Sequence, residues 1–185
     1  MKKMMMLALA LVMMLTLTLT GAALAESAPM SKEDQMKNMV QGFLDENGYE
    51  YEYDDYTFSM SFALENALEY VNVMVFVDDD MLSVTVDAPI QGEEAVFEPL
   101  AVLTTLINSE IFYAQFRVDH YNDKLYVACR ACNLVEDVVP GENELYYLIN
   151  EPMRYMEEYG DGIHAVIGGG DPYEAFEACQ AAVNE

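Results

Sequence analysis

The sequence predicts an α+β fold: an antiparallel sheet of about five strands with helices packed on it, in the order α-β-β-β-α-β-β-α with a helical tail. Three observations predict it. Apolar residues recur every three or four positions in some segments and alternate strictly in others. The alternating segments follow one another across short polar turns. No repeated strand–helix–strand alternation, which would build a parallel sheet, is present.

The first helix opens after Ser31, a plausible N-cap, and carries Met36, Met39, Val40, Phe43 and Leu44 at helical spacing until Asn47-Gly48 stops it. An acidic, aromatic tract, Tyr49 to Asp55, leads into Tyr56, Phe58, Met60 and Phe62, which alternate with Thr57, Ser59 and Ser61 as a half-buried strand does. Tyr70 to Val77 is apolar on both faces apart from Asn72, which predicts a central strand. Asp78-Asp79-Asp80 turns the chain into a third strand, Leu82, Val84 and Val86 alternating with Ser83, Thr85 and Asp87, and Pro89 and Gly92 are expected to end this meander.

The second helix runs to about Ser109, with Pro99 in its first turn and Leu100, Leu103, Thr104 and Ile107 on one face. Phe112, Ala114, Phe116 and Val118 then alternate with Tyr113, Gln115, Arg117 and Asp119; His120 to Asp123 form the turn, and Leu125 to Leu134 return as the partner strand. Glu142 to Tyr159 predicts a third helix, bent or interrupted at Pro152. Gly160 and Gly162 follow that helix and lead to Ile163 to Ile167; Gly168-Gly169-Gly170 is a glycine break, after which Asp171-Pro172 opens a short last helix with Asp as cap and Pro at its first position.

Residues 1–25 predict a Sec-type signal peptide: Lys2 and Lys3, an uncharged run from Met4 to about Thr20, and Ala23-Leu24-Ala25 as the cleavage site. Residues 26–185 are then a single domain, secreted or otherwise extracytoplasmic, with no stable membrane insertion after cleavage. Removal of Lys2 and Lys3 leaves all 33 acidic residues, so the mature domain is more anionic still than the whole chain at −25. Nucleic acid is excluded as a partner on that ground, since counterion release needs clustered Lys and Arg, whereas Lys32, Lys37, Arg117, Lys124, Arg130 and Arg154 are scattered among acids.

The roughly 160 mature residues suffice for a hydrophobic core without a disulfide scaffold. Cys129 and Cys132 are three apart on a predicted strand, which puts their side chains on opposite faces, and Cys179 lies far along the chain. A bridge from Cys179 to one of the two is open to a fold that brings them close; three reduced, mostly buried cysteines are the preferred expectation.

The stretches Leu106 to Asp119 and Ile163 to Ala175, the latter containing Gly168-Gly169-Gly170-Asp171-Pro172-Tyr173-Glu174-Ala175 and similar to a closing Gly-Gly-x-x-Pro-x-x-Ala pattern, carry a resemblance to the YbjN-like domain family within the type III secretion chaperone-like fold; with the element order it spans about Ser31 to Val183. The resemblance implies the fold. The family's label concerns sensory transduction regulation, and its members look like non-enzymatic, protein-binding or dimerising domains. This chain departs from that picture in its predicted export and its acidity.

Catalytic chemistry finds little support. His120 and His164 are the two histidines, and neither sits in a nucleophile motif. Gly168-Gly169-Gly170 lacks the lysine and hydroxyl residue of a phosphate loop. Asp78, Asp79 and Asp80 are the metal-ligating candidates, but calcium needs about six to eight oxygens in a defined cage and the triplet lacks that spacing, so a solvated turn fits it better. No cofactor is expected. The 13 tyrosines, with no tryptophan, suit a contact surface, and Tyr146, Tyr147, Tyr155 and Tyr159 on the third helix are its candidates. The expected function is therefore protein or peptide interaction by an exported, non-enzymatic domain, chaperone-like or regulatory, with a homodimer as one form of that contact. The alternative is an extracytoplasmic small-ligand or divalent-cation-binding module using the acidic loops.

Overall fold

The computed structural model describes residues 30–54, 56–78, 80–135 and 139–183; the predicted signal peptide and Asp79 lie outside them. The elements are α1 (Lys32–Glu46), β1 (Glu52–Asp54), β2 (Thr57–Ala63), β3 (Tyr70–Asp78), β4 (Met81–Gly92), α2 (Phe97–Asn108), β5 (Gln115–Tyr121), β6 (Lys124–Leu134), α3 (Glu142–Ile167) and α4 (Pro172–Val183), with a 3-10 turn over Glu94–Val96 before α2. The fold is α+β, and the sheet is antiparallel throughout in the order β1-β2-β3-β4-β6-β5.

The sheet has six strands rather than five. The additional one, β1, is three exposed residues paired to β2 through Glu52↔Ser59, Tyr53↔Phe58 and Asp54↔Thr57. It has no buried face and so no alternation to betray it; Tyr53 packs its ring on Phe58 at 4.5 Å.

One face of the sheet carries the core. Val71, Val73, Val75 and Val77 of β3, Leu82, Val84 and Val86 of β4, and Leu125, Val127 and Cys129 of β6 are buried there, together with Met36, Val40 and Leu44 of α1, Leu100, Leu103 and Ile107 of α2, and Leu145, Ile149, Met156 and Ile163 of α3. Each such aliphatic side chain contributes about 1.5–3 kcal/mol when fully buried. The strand period of two therefore sends the other half of every strand to a face that the helices do not reach.

Three points depart from the sequence reading. β4 ends at Gly92 as expected, but Pro89 does not stop it: the strand runs through the proline with a register shift between Asp87 and Gln91. A proline, lacking a donor, is tolerated where the ladder is already interrupted. β5 begins at Gln115, leaving Phe112 90 % exposed before it, and the turn is the two residues Asn122 and Asp123, both at positive φ, as a tight hairpin of this twist requires. Finally, α3 is one helix of 26 residues that runs through Pro152, Gly160 and Gly162. Both glycines are places of close approach. A Cβ on Gly160 would lie 2.2 Å from Asn66 Nδ2, and one on Gly162 would lie 2.9 Å from Cys179 Sγ.

The helix ends follow local chemistry. Glu144 Oε2 accepts from the Gly141 N–H at the start of α3 (2.8 Å), and Asp171 Oδ1 accepts from the N–H groups of Tyr173 and Glu174 at the start of α4 (2.9 and 3.1 Å). Gly48, at φ 71°, closes α1.

Candidate functional site on the open face of the sheet

The helix-free face holds a cleft of about 640 Å³. The strand pairing builds it. The register Met74↔Thr85↔Arg130 forms one row across β3, β4 and β6; Phe76↔Ser83 lies on one side of it, and Asp87↔Ala128↔Arg117 on the other. Tyr126 pairs with Asp119 one row further on, and Tyr56 and Met81 stand at the opposite end. The floor is Ser83 and Thr85, both buried although no helix covers them; the side chains of the surrounding rows do so.

Arg130 is the unusual member. Its Nη2 makes one long contact, 3.5 Å to Ser83 Oγ, and its Nε is buried with no hydrogen-bond partner among the described residues. An unsatisfied buried donor costs about 1–3 kcal/mol. Every other described lysine or arginine has a carboxylate: Lys32 with Asp80 (2.9 Å), Lys37 with Glu33 (2.5 Å), Arg117 with Asp119 (2.8 Å), Lys124 with Glu93, and Arg154 with Glu151 (2.7 Å) and Glu158. Among the described residues of a chain with 33 acids, only the guanidinium inside the cleft is left without one.

Asp87, half-buried at the cleft wall, has its carboxyl held above the ordinary range. Burial is the main cause and the Asp119 carboxylate adds to it, while the Arg117 guanidinium works in the opposite direction.

The four tyrosines of α3 do not form one surface. Tyr146 and Tyr147 are 51 % and 57 % exposed and meet edge to face at 5.8 Å. Tyr155 and Tyr159, at 5 % and 3 %, belong to the core: the Arg154 guanidinium lies 4.3 Å from the Tyr155 ring, and Tyr159 sits against Phe116 and Phe176 and accepts from Gln180 Nε2 at 2.8 Å. The helical period explains the split, since nine positions at about 100° each put Tyr155 on the opposite side from Tyr146.

Asp78 ends β3 at the cleft rim, and Asp80 binds Lys32, whose Nζ also donates to the Val135 carbonyl at 2.7 Å. Among the described residues, no three His, Cys, Asp or Glu side chains converge to hold a metal ion. His120 is exposed, with Nδ1 3.5 Å from Glu94 and its ring against Phe97; His164 is exposed on α3. Cys129 and Cys179 are buried, Cys132 is exposed, and none is in a disulfide.

The cleft residues escaped the sequence reading, although Met74 and Phe76 had left a trace as the second apolar face of β3. That trace reads equally well as a face covered by helices.

No protein-family model matches the chain, and no curated protein matches it. Among solved structures, the fold is similar to that of YbjN from E. coli, with a TM-score of 0.52 and 13 % identity over 71 % of this chain and 87 % of that one. The fold is thus YbjN-like. No described helix is long and apolar enough to cross a membrane.

Proposed function

We propose that this chain is an extracytoplasmic, non-enzymatic domain that binds a protein or peptide through the helix-free face of its sheet. The single observation that carries the reading is the open cleft of Met74, Phe76, Tyr126 and Arg130, where apolar and aromatic side chains line the same space as a guanidinium whose Nε has no hydrogen-bond partner among the described residues. Export rests on the sequence of residues 1–25.

Selection of binders from a random peptide library, followed by titration of a selected peptide into isotopically labelled mature domain, tests this. Shifts centred on Met74, Phe76, Tyr126 and Arg130 are expected; shifts confined to Phe112, Tyr146 and Tyr147 would move the surface elsewhere and overturn the assignment. Edman sequencing of the exported protein should begin at Glu26. The volume of the cleft also suits a small molecule. That second reading gains ground if no peptide is selected while a compound screen raises the unfolding midpoint. A homodimer using the same face would appear in sedimentation as concentration-dependent association that Phe76→Lys abolishes.

A further inference from the structure

We infer that the partner presents a free C-terminal carboxylate next to an apolar last residue, and that Arg130 is the group that receives it. This rests on the peptide-binding reading above and narrows it to one chemistry.

Three observations converge. First, among the described residues Arg130 has no carboxylate, although every other lysine and arginine does, and its Nε donor is buried without a partner. A guanidinium offers a planar fork of donors that matches a carboxylate in two parallel hydrogen bonds. Second, apolar and aromatic side chains share the cleft with that fork: Met74 lies in the same row beyond Thr85, and Phe76 and Tyr126 line the same cleft, while the one polar contact of the fork is the long one to Ser83 Oγ. A ligand must therefore bring its negative charge and an apolar group together. Third, the rim carries Asp78, Asp87 and Asp119, with Arg117 already held by Asp119. A polyanionic segment would be repelled there; a single carboxylate reaching Arg130 would not meet the same opposition.

A chain end suits this place better than an internal Asp or Glu. The site is on the face of the sheet, not at an edge, so a peptide crossing it finds no strand whose backbone can pair with its own amides. The last residue of a chain combines carboxylate and side chain with the fewest peptide groups to leave unsatisfied.

The test uses the mature domain and two pools of N-acetylated hexapeptides, neutral or lysine-containing at the first four positions and ending in Leu, Phe or Met, one pool with a free carboxylate and the other amidated. The Arg130 Nε–Hε resonance reports on the site directly. The carboxylate pool is expected to bind and to shift that resonance, with amidation or Arg130→Met weakening binding about tenfold or more and Arg130→Lys recovering part of the loss. Equal binding of both pools, unaffected by Arg130→Met, would overturn the carboxylate inference and leave the peptide reading standing. If neither pool binds but 3-phenylpropionate does so through Arg130, the partner is a small monocarboxylate and the peptide commitment falls. Binding of neither pool nor 3-phenylpropionate overturns both. The comparison of the two pools is made on the unaltered domain, so it does not depend on a variant folding.

Discussion

The carboxamide of Asn66, in the turn between β2 and β3, occupies the space where a side chain on Gly160 of α3 would begin. Its Nδ2 donates to the carbonyls of Met156 (2.8 Å) and Glu157 (3.0 Å), and its Oδ1 accepts from the Leu68 N–H (2.9 Å). The same turn is bound to α3 twice more, Glu65 N–H to Glu157 Oε1 at 3.0 Å and Ala67 N–H to Asp161 Oδ1 at 2.7 Å. Gly160→Ala should therefore destabilise the domain by about 1–3 kcal/mol, despite a helix-propensity gain of about 1 kcal/mol, because the pinned amide must be displaced. Asn66→Ala should cost a similar amount, and the double variant less than the sum. Urea unfolding of the four proteins measures this; strict additivity would show that the two residues do not share the space.

The edge of the sheet is sealed by a second amide. Asn108, at the end of α2, donates from Nδ2 to the Phe116 carbonyl at 2.9 Å and accepts the Phe116 N–H at Oδ1 at 2.7 Å, doing for edge strand β5 what a neighbouring strand would do. Asn108→Ala should lower stability by about 1–3 kcal/mol and promote concentration-dependent association through the freed edge. Asn108→Asp keeps only the acceptor and should fall in between. Unfolding and sedimentation read the two effects separately.

Thiol reactivity should divide one against two. Cys129 and Cys179 are buried, and burial pushes both thiols up, whereas Cys132 is exposed three residues along β6. Ellman's reagent should modify one thiol in the native domain and three after unfolding, and Cys132→Ser should remove the native reaction. Two fast native thiols would contradict the packing of α4 on α3.

Acid should stabilise the domain locally through Asp87. Its folded carboxyl holds a proton more tightly than the ordinary value of 3.8 in the unfolded chain, so this group contributes most below that value, and the contribution is lost as pH rises through the raised one. The other charged and titratable groups around the cleft are Arg117, Asp119 and Tyr121 from β5, Tyr126 and Arg130 from β6, Asp78 from β3, and Tyr56 just before β2. Asp87→Asn removes the ionised state and should raise the unfolding midpoint at pH 7 while leaving it nearly unchanged at pH 3. A lower midpoint at pH 7 would mean that the attraction to Arg117 outweighs burial.

Much of the fold was legible residue by residue. Leu100, Leu103, Thr104 and Ile107 are the buried face of α2 that their spacing predicts, Met36, Val40, Phe43 and Leu44 are that of α1, and Asp171 caps α4. The opposite placement of Cys129 and Cys132 follows from the strand period alone. The candidate site fared differently. Tyr155 and Tyr159 are core, and the helical period that puts Tyr155 opposite Tyr146 was already present in the spacing. Arg130 carried no signal at all, since an arginine in a strand next to Ala131 looks like any solvated charge.

The sequence by itself determined that α1, α2, α4 and Glu142 to Tyr159 of α3 would be helical, that β2 and β4 would alternate, and which side of α1 and α2 would be apolar, because those properties depend on neighbours one to four positions away. Only the tertiary structure decided that Gly160 and Gly162 are points of contact within one continuous helix, and that α1 to α4 all leave the face bearing Met74, Phe76 and Arg130 uncovered. Both outcomes depend on where α3 comes to lie, and that is fixed by contacts such as Asn66 to Met156, 90 positions apart in the chain, to which no local pattern refers.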